Sequence, residues 1–128
     1  MDLSKLDLTK SSNEGAWVEL KHPATAEKLP MKVKVIGKDS DKFIEMSEKY
    51  SRSNLDDLKA NKTFEQRLEK SKEYADKLLI NCTLEWDGIE LDGKKLDCTH
   101  ENVKLVYKRF NWIREQVDAA IADRANFL

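Results

Sequence analysis

Residues 82 to 100 hold the densest group of side chains that could bind a metal ion or undergo redox chemistry. The segment contains five acidic residues, at Glu85, Asp87, Glu90, Asp92 and Asp97. A zinc site would use Cys82, Cys98 and His100, with His22 as a distant fourth ligand. Structural zinc sites usually contain closely spaced ligand pairs such as C-x2-C, and this chain has none. The spacing argues against zinc, and we expect no metal and no other cofactor.

The two Asp-Gly steps of the segment raise the possibility of a calcium loop. An EF-hand loop beginning at Asp87 would need carboxylate or amide ligands at its third and fifth positions and glycine at its sixth. The chain has Ile89, Leu91 and Asp92 there, so the spacing excludes this motif. We instead interpret the Asp-Gly steps as turn residues, because glycine tolerates positive φ. The segment is then predicted to be a hairpin that joins two helical parts, with Leu91 and Leu96 packed on the helices.

The two cysteines are predicted to be reduced thiols, as expected for a cytosolic protein. Cys82 fits a small core residue at a helix end, and Cys98 fits a partly buried loop residue. A disulfide between them is geometrically conceivable if the hairpin folds back. The sequence alone does not show that the two sulfurs meet.

Catalytic signatures are absent from the sequence. Neither histidine lies in a local motif with a nucleophile, and the chain has no G-x-S-x-G, G-x-x-x-x-G-K-[ST] or G-x-G-x-x-G motif. Only four glycines occur in 128 residues, which leaves little backbone for a phosphate-binding loop. We therefore expect that the protein is not an enzyme.

Composition predicts one domain with a surface of mixed charge. The chain has 23 basic and 24 acidic residues, for a net charge of -1, and this balance gives no long-range field toward nucleic acid or anionic lipid. No apolar run has the length of a membrane span, and the N-terminus lacks the order of a signal peptide. Lys32, Lys34 and Lys38 could form a small basic patch near Trp17, but we interpret it as a solvated strand face. The expectation is a cytosolic protein that binds neither nucleic acid nor a membrane.

The pattern of the first third of the chain predicts a β-hairpin from about 16 to 37. Residues alternate in character on both sides of a proline-bounded loop, which is typical of strands. Residues 1 to 13 are polar and are predicted to be a loosely ordered segment, followed by a single domain over residues 14 to 128.

Helices are predicted for most of the rest. Asp39 or Ser40 can cap the first, and Thr63 can cap a second. The second has the best apolar periodicity in the chain, with one stripe formed by Phe64, Leu68, Ser71, Ala75, Leu78, Leu79 and Cys82. Thr99 and Asn111 are the predicted caps of two C-terminal helices. The expected fold is α+β and predominantly helical, with the N-terminal β-hairpin and a second short hairpin or turn before the two C-terminal helices.

Five apolar residues are candidates for contact with a partner protein: Trp17, Trp112, Ile121, Phe127 and Leu128. Tryptophan is favoured at interfaces, although each could equally be core. The apolar end of the chain must dock either on its own domain or on a partner, and the sequence leaves both alternatives open.

Several segments resemble the tail assembly chaperones of long-tailed bacteriophages, most strongly from residue 82 onward. That family has a W-x-G-I/F-x-x-D-G-x-x-L hairpin, an E-N-x-x-x-L/V-Y helix and a W-I-R-E-Q-V-D helix ending in D-R-A-N-F. The matching residues are Trp86, Gly88, Asp92, Gly93, Leu96, Glu101, Asn102, Tyr107, 112–118 and 123–127, with 17–25 and 37–43 also similar. Asn111 departs from the proline that relatives often carry, which should shift a helix boundary and not a role.

The resemblance implies a non-enzymatic, homo-oligomeric protein of the host cell cytoplasm that is absent from the mature virion. Such proteins bind the tape-measure protein, keep it soluble and recruit tail-tube subunits. The family commonly makes a longer product by a programmed ribosomal frameshift, in which case this chain would be the short form with residues 122–128 at the branch point. The alternative is a small structural tail completion or joining protein that is retained in the virion.

Overall fold

The computed structural model describes residues 1–128. The α-helices are α1 (Thr9–Glu14), α2 (Asp41–Lys59), α3 (Phe64–Cys82), α4 (His100–Arg109) and α5 (Asn111–Ala122). The strands are β1 (Ala16–Lys21), β2 (Lys28–Val35), β3 (Thr83–Asp87), β4 (Glu90–Leu91) and β5 (Lys94–Lys95). Two 3-10 helices span Leu3–Leu6 and Arg124–Phe127. The fold is a predominantly helical α+β single domain with an N-terminal hairpin, which confirms the predicted class.

The main sheet is antiparallel with strand order β1-β2-β3. Its first two strands are the predicted hairpin, with Val18 opposite Val33. Alternate residues point inward, so that Leu20, Val33 and Val35 are fully buried. The helix α5 closes part of the free edge of β1, since the Gln116 side chain exchanges two hydrogen bonds of 2.8 Å with the backbone N–H and C=O of Lys21.

The third strand is not predicted by the sequence. Residues 82 to 100 are expected to form one hairpin, but the structure divides them into β3, which pairs with β2, and a small hairpin of β4 and β5. The prediction that Asp-Gly forms a turn is confirmed for that hairpin. Asp92 and Gly93 both have positive φ, at 53° and 79°. At Gly88 a Cβ atom would lie 2.1 Å from the Pro30 carbonyl oxygen, so only glycine allows this close passage over β2.

Two helices of 19 residues, α2 and α3, form an antiparallel pair joined by residues 60–63. Ser40 caps α2 by accepting a hydrogen bond from the Phe43 amide, as predicted. Thr63 caps α3 through a capping box with Gln66, in which each side chain bonds the other residue's backbone N–H. Both predicted helix starts are confirmed.

The two C-terminal helices are also present, with one correction. Thr99 caps α4 as predicted, accepting from the Asn102 amide at 3.1 Å. Asn111 does not cap α5. Phe110 is the only residue between α4 and α5, so Asn111 is already helical, and its side chain instead donates to Glu115 Oε1 at 2.8 Å.

The hydrophobic core lies between the inner face of the sheet and the helices α4 and α5, with only the end of α3 included. Its 16 residues include three from α4 and four from α5. Thr83 and Tyr107 place their hydroxyl oxygens 2.6 Å apart inside it, and Thr83 also donates to the Leu79 carbonyl. These buried hydroxyls are therefore paired, as burial requires.

The N-terminal segment carries more structure than the loose order expected of residues 1–13. Residues 9–14 form α1, and Ser12 is buried, with its carbonyl accepting from the Gly37 amide at 3.1 Å. Asn13 accepts from the Asp41 amide at 2.8 Å and donates to the Asp41 carboxylate at 2.9 Å. The segment is therefore tied to the beginning of α2, where free helical amides need acceptors.

Candidate interaction surfaces

Two of the five predicted contact residues lie in the core of this chain and not on its surface. Ile121 and Phe127 are almost completely buried. The chain turns back after α5 because Asp123 caps the last 3-10 helix and Asn126 donates to the Ala120 carbonyl at 3.0 Å. The ring of Phe127 thereby lies against Gly37, where even a Cβ atom would come within 2.9 Å of it. The apolar end of the chain thus docks on its own domain up to Phe127.

The structure places the other three predicted residues in different settings. Trp112 is half-buried against the core. Trp17 is partly exposed on the outer face of the sheet, with the Lys32 ammonium 4.7 Å from its ring centroid. Leu128 is 85% exposed at the chain end. No contact in the structure joins these three residues into one surface patch.

The lysines of β2 lie beside carboxylates and do not form a basic patch. On the outer face of the sheet, Lys32 is paired in register with Glu19 on one side and Asp87 on the other. Lys34 is opposite Glu85, with a Nζ–Oε2 distance of 3.8 Å. Opposite charges alternate across the strands, so this face has little net potential.

The segment that is densest in reactive side chains is built into the fold. Cys82 is buried, and desolvation raises its pKa to about 12, which leaves the thiol protonated. Burial also raises the pKa of Cys98, and both thiols are free. The indole of Trp86 donates to the Leu96 carbonyl at 2.8 Å, which fastens the small hairpin to the sheet. No three His, Cys, Asp or Glu side chains are grouped so that they could hold a metal ion.

An exposed apolar surface lies at the joined ends of α2 and α3. Leu55 and Leu58 are one turn apart near the end of α2, and Phe64 and Leu68 are one turn apart at the beginning of α3. All four side chains are exposed, and Phe64 is 76% exposed. We call these four residues the apolar tip. Large apolar side chains that stay exposed near one connection are candidates for contact with a partner protein.

Charged residues of both signs surround the apolar tip. Asp56 and Lys59 flank the leucines of α2, and Lys62 and Glu65 flank Phe64, all of them exposed. The tip is therefore an apolar surface with a polar rim and no net charge. An apolar centre with a polar rim is typical of an interaction surface.

The contacts that hold α2 against α3 use polar and aromatic side chains and leave the tip free. Tyr50 and Tyr74 stack with their ring centroids 3.9 Å apart and their planes within 8°. Lys70 forms an ion pair with Asp57 and also donates to the Ser53 hydroxyl. The four apolar side chains of the tip stay exposed, from 44% at Leu68 to 76% at Phe64. The pair can thus stay closed without covering its apolar residues.

The apolar tip is the surface that the sequence prediction missed. The signal was present, because Phe64 and Leu68 belong to the predicted stripe of α3. The structure buries only the far end of that stripe, at Leu79 and Cys82. Periodicity predicts which residues share a helix face, but the burial of that face depends on what lies opposite.

Comparison with known proteins adds no relative. No family model, no curated protein and no solved structure matches this chain. The fold and the candidate surface define its class as an α+β domain that carries an exposed apolar helical tip. None of its helices combines the length and apolar character needed to cross a lipid bilayer.

Proposed function

We propose that the protein is a non-enzymatic phage tail assembly chaperone that binds the tape-measure protein and recruits tail-tube subunits during tail morphogenesis. The observation that carries this proposal is the apolar tip, formed by Leu55, Leu58, Phe64 and Leu68. The motif resemblance from Trp86 to Phe127 supports it independently, because those residues belong to other elements. The expected site of action is the host cell cytoplasm, and the protein leaves before the virion is complete.

The chemistry of the tip fits a long helical client. An amphipathic helix buries its apolar face in a surface presented by another protein, with anchors spaced by three or four residues. Leu55 and Leu58 have a spacing of three, and Phe64 and Leu68 have a spacing of four, so each pair lies along one side of its helix. The mixed charges around the tip then remain in water.

Repetition of this surface would explain how one small domain protects a long chain. A homo-oligomer presents many copies of the tip, and each further contact along the same client becomes intramolecular. The binding gained in this way does not require any single strong site. We therefore include self-association in the proposal.

Co-expression with the tape-measure protein from the same phage tests the proposal directly. The wild-type chain should keep that protein in the soluble fraction, and Leu68→Glu should send it to the pellet because a charge is placed in the apolar tip. Leu105→Glu on α4 is the matched control, since Leu68 and Leu105 are 44% and 45% exposed. Unchanged solubility of the client with and without the wild-type chain would refute the proposal.

Mass spectrometry of purified virions distinguishes the chaperone from the alternative, a small tail completion or joining protein. A chaperone should be absent from the particle. Stoichiometric recovery of this chain from virions would favour the structural protein instead.

A further inference from the structure

A second surface, separate from the apolar tip, is a cleft of about 440 Å³ between α3, α4 and α5. Ile80 and Tyr107 supply its apolar lining. The polar lining consists of Lys72, Asp76, Lys104, Lys108, Asn111 and Arg114. The cleft shares no residue with the apolar tip and lies beside the helices that form the core.

The cleft concentrates positive charge in a chain whose net charge is -1. Its only lining carboxylate, Asp76, is engaged by Arg114, with the Nε–Oδ1 distance at 3.1 Å. Lys72, Lys104 and Lys108 form no ion pair in the structure. Lysines four residues apart on one helix repel each other, so the placement of Lys104 and Lys108 carries a small cost that a bound anion would offset.

The excess of positive charge does not extend into the adjoining cleft. In the adjoining cleft along α3 and α4, the cations are balanced by Glu73, Glu101 and Asp76. At the other end, Glu115 holds the Asn111 side chain at 2.8 Å. An anionic group would therefore be drawn to the space between Lys72 on α3 and the two lysines of α4.

We propose that this cleft binds an acidic segment of a partner protein, with carboxylates on the three lysines and an apolar side chain against Ile80. The lining does not suit a nucleic acid. Tyr107 is its only aromatic residue, and that ring is buried, with its hydroxyl bonded to Thr83, so no face is free for base stacking. This inference is independent of the proposed function, because the apolar tip takes no part in it.

Fluorescence anisotropy with designed peptides tests the assignment on the full chain. The probe is a short labelled helical peptide with three glutamates and one leucine, compared with the same peptide carrying glutamine in place of glutamate. We expect saturable binding of the acidic peptide alone, which weakens as salt is added. Lys104→Glu and Lys108→Glu should each weaken it by at least about tenfold, since attraction becomes repulsion.

Lys95→Glu is the control, because it makes the same charge change on the exposed strand β5, outside the cleft. Melting curves establish that each variant is folded, and Lys104→Gln provides the same comparison without a charge reversal. Equal binding of the glutamine peptide, or equal losses for the cleft and control variants, would overturn the proposal. Tighter binding of a labelled oligothymidine than of the acidic peptide would also overturn it, in favour of a nucleic-acid site.

Discussion

The helix pair α2–α3 and the C-terminal pair α4–α5 use the same apolar spacing with opposite results. The helix α2 contributes no buried residue, and α3 contributes only Leu79 and Cys82 at its last turn. The shorter helices α4 and α5 bury three and four residues in the core. An apolar stripe is therefore exposed in one part of this protein and buried in another. Whether it is buried depends on the elements that lie opposite it.

Length explains much of this difference. A helix of 19 residues is about 28 Å long at 1.5 Å per residue, whereas the helices of 10 and 12 residues reach only about 15 and 18 Å. The start of α3 thus extends past the layer that covers its end. Its stripe continues with the same periodicity, but its first turns have no core to face.

The largest expected effect on stability concerns the core around the C-terminal helices. Phe127→Ala should lower the free energy of unfolding by about 3–5 kcal/mol, because it removes a large ring packed against Gly37. Leu128→Ala, one residue later, should change it by less than about 0.5 kcal/mol. Urea unfolding measures both values. A loss for Phe127→Ala as small as that for its neighbour would contradict the core assignment.

A second prediction compares the two ends of a single helix. Leu79→Ala should cost about 2–5 kcal/mol, since Leu79 is buried where α3 meets the core. Leu68→Ala should cost less than about 0.5 kcal/mol, because this side chain is exposed in the free protein. Thermal and urea unfolding provide the numbers. Equal costs would mean that the tip is covered in solution, as it would be in a tight oligomer.

A smaller effect concerns the autonomy of the helix pair. Amide hydrogen exchange should be faster in α2 than in α5, because α2 has no buried residue and can open without the core. Tyr50→Leu removes a stacked pair worth about 0.5–1.5 kcal/mol and should speed exchange in α2 while α5 is unaffected. Uniform acceleration across both helices would show that the two regions open as one unit.

The smallest effect is expected at the joint between the regions, where Arg124 contacts Asp39 just before α2. Hydrogen bonds from the guanidinium hold the pKa of Asp39 below its usual range. A carboxyl whose folded-state pKa is depressed stabilises the fold above its unfolded pKa, and this stability is lost as the pH falls through the folded-state pKa. The melting temperature should therefore exceed that of Asp39→Asn near neutral pH, with the gap closing in acid. A gap that is constant with pH would exclude this linkage.

The elements of the fold were largely predictable because their signals are local. Three helix starts are predicted by the capping side chains of Ser40, Thr63 and Thr99. The alternation of residue types predicts the hairpin of β1 and β2. The strand β3 escaped prediction because Thr83 follows α3 without a breaking residue, and its pairing partner β2 is distant in sequence. The prediction that Asn111 caps α5 was wrong because Phe110 occupies the cap position.

The candidate surface was much less predictable than the fold. The burial of Ile121 and Phe127 was not predictable, because the return of the chain after α5 depends on hydrogen bonds such as that from Asn126. The apolar periodicity of the tip could be seen in the sequence, but its exposure could not. Exposure depends on the relative lengths of helices from different parts of the chain, which no local pattern contains.

The two hydrogen bonds between Gln116 and the backbone of Lys21 have a consequence for aggregation. An unpaired strand edge is a template on which any other chain can add a strand, including a misfolded copy. At Lys21 that template is occupied by the Gln116 side chain of α5. Addition of a strand from another chain at this end of β1 must first displace these two hydrogen bonds, which makes the exposed apolar residues elsewhere less hazardous.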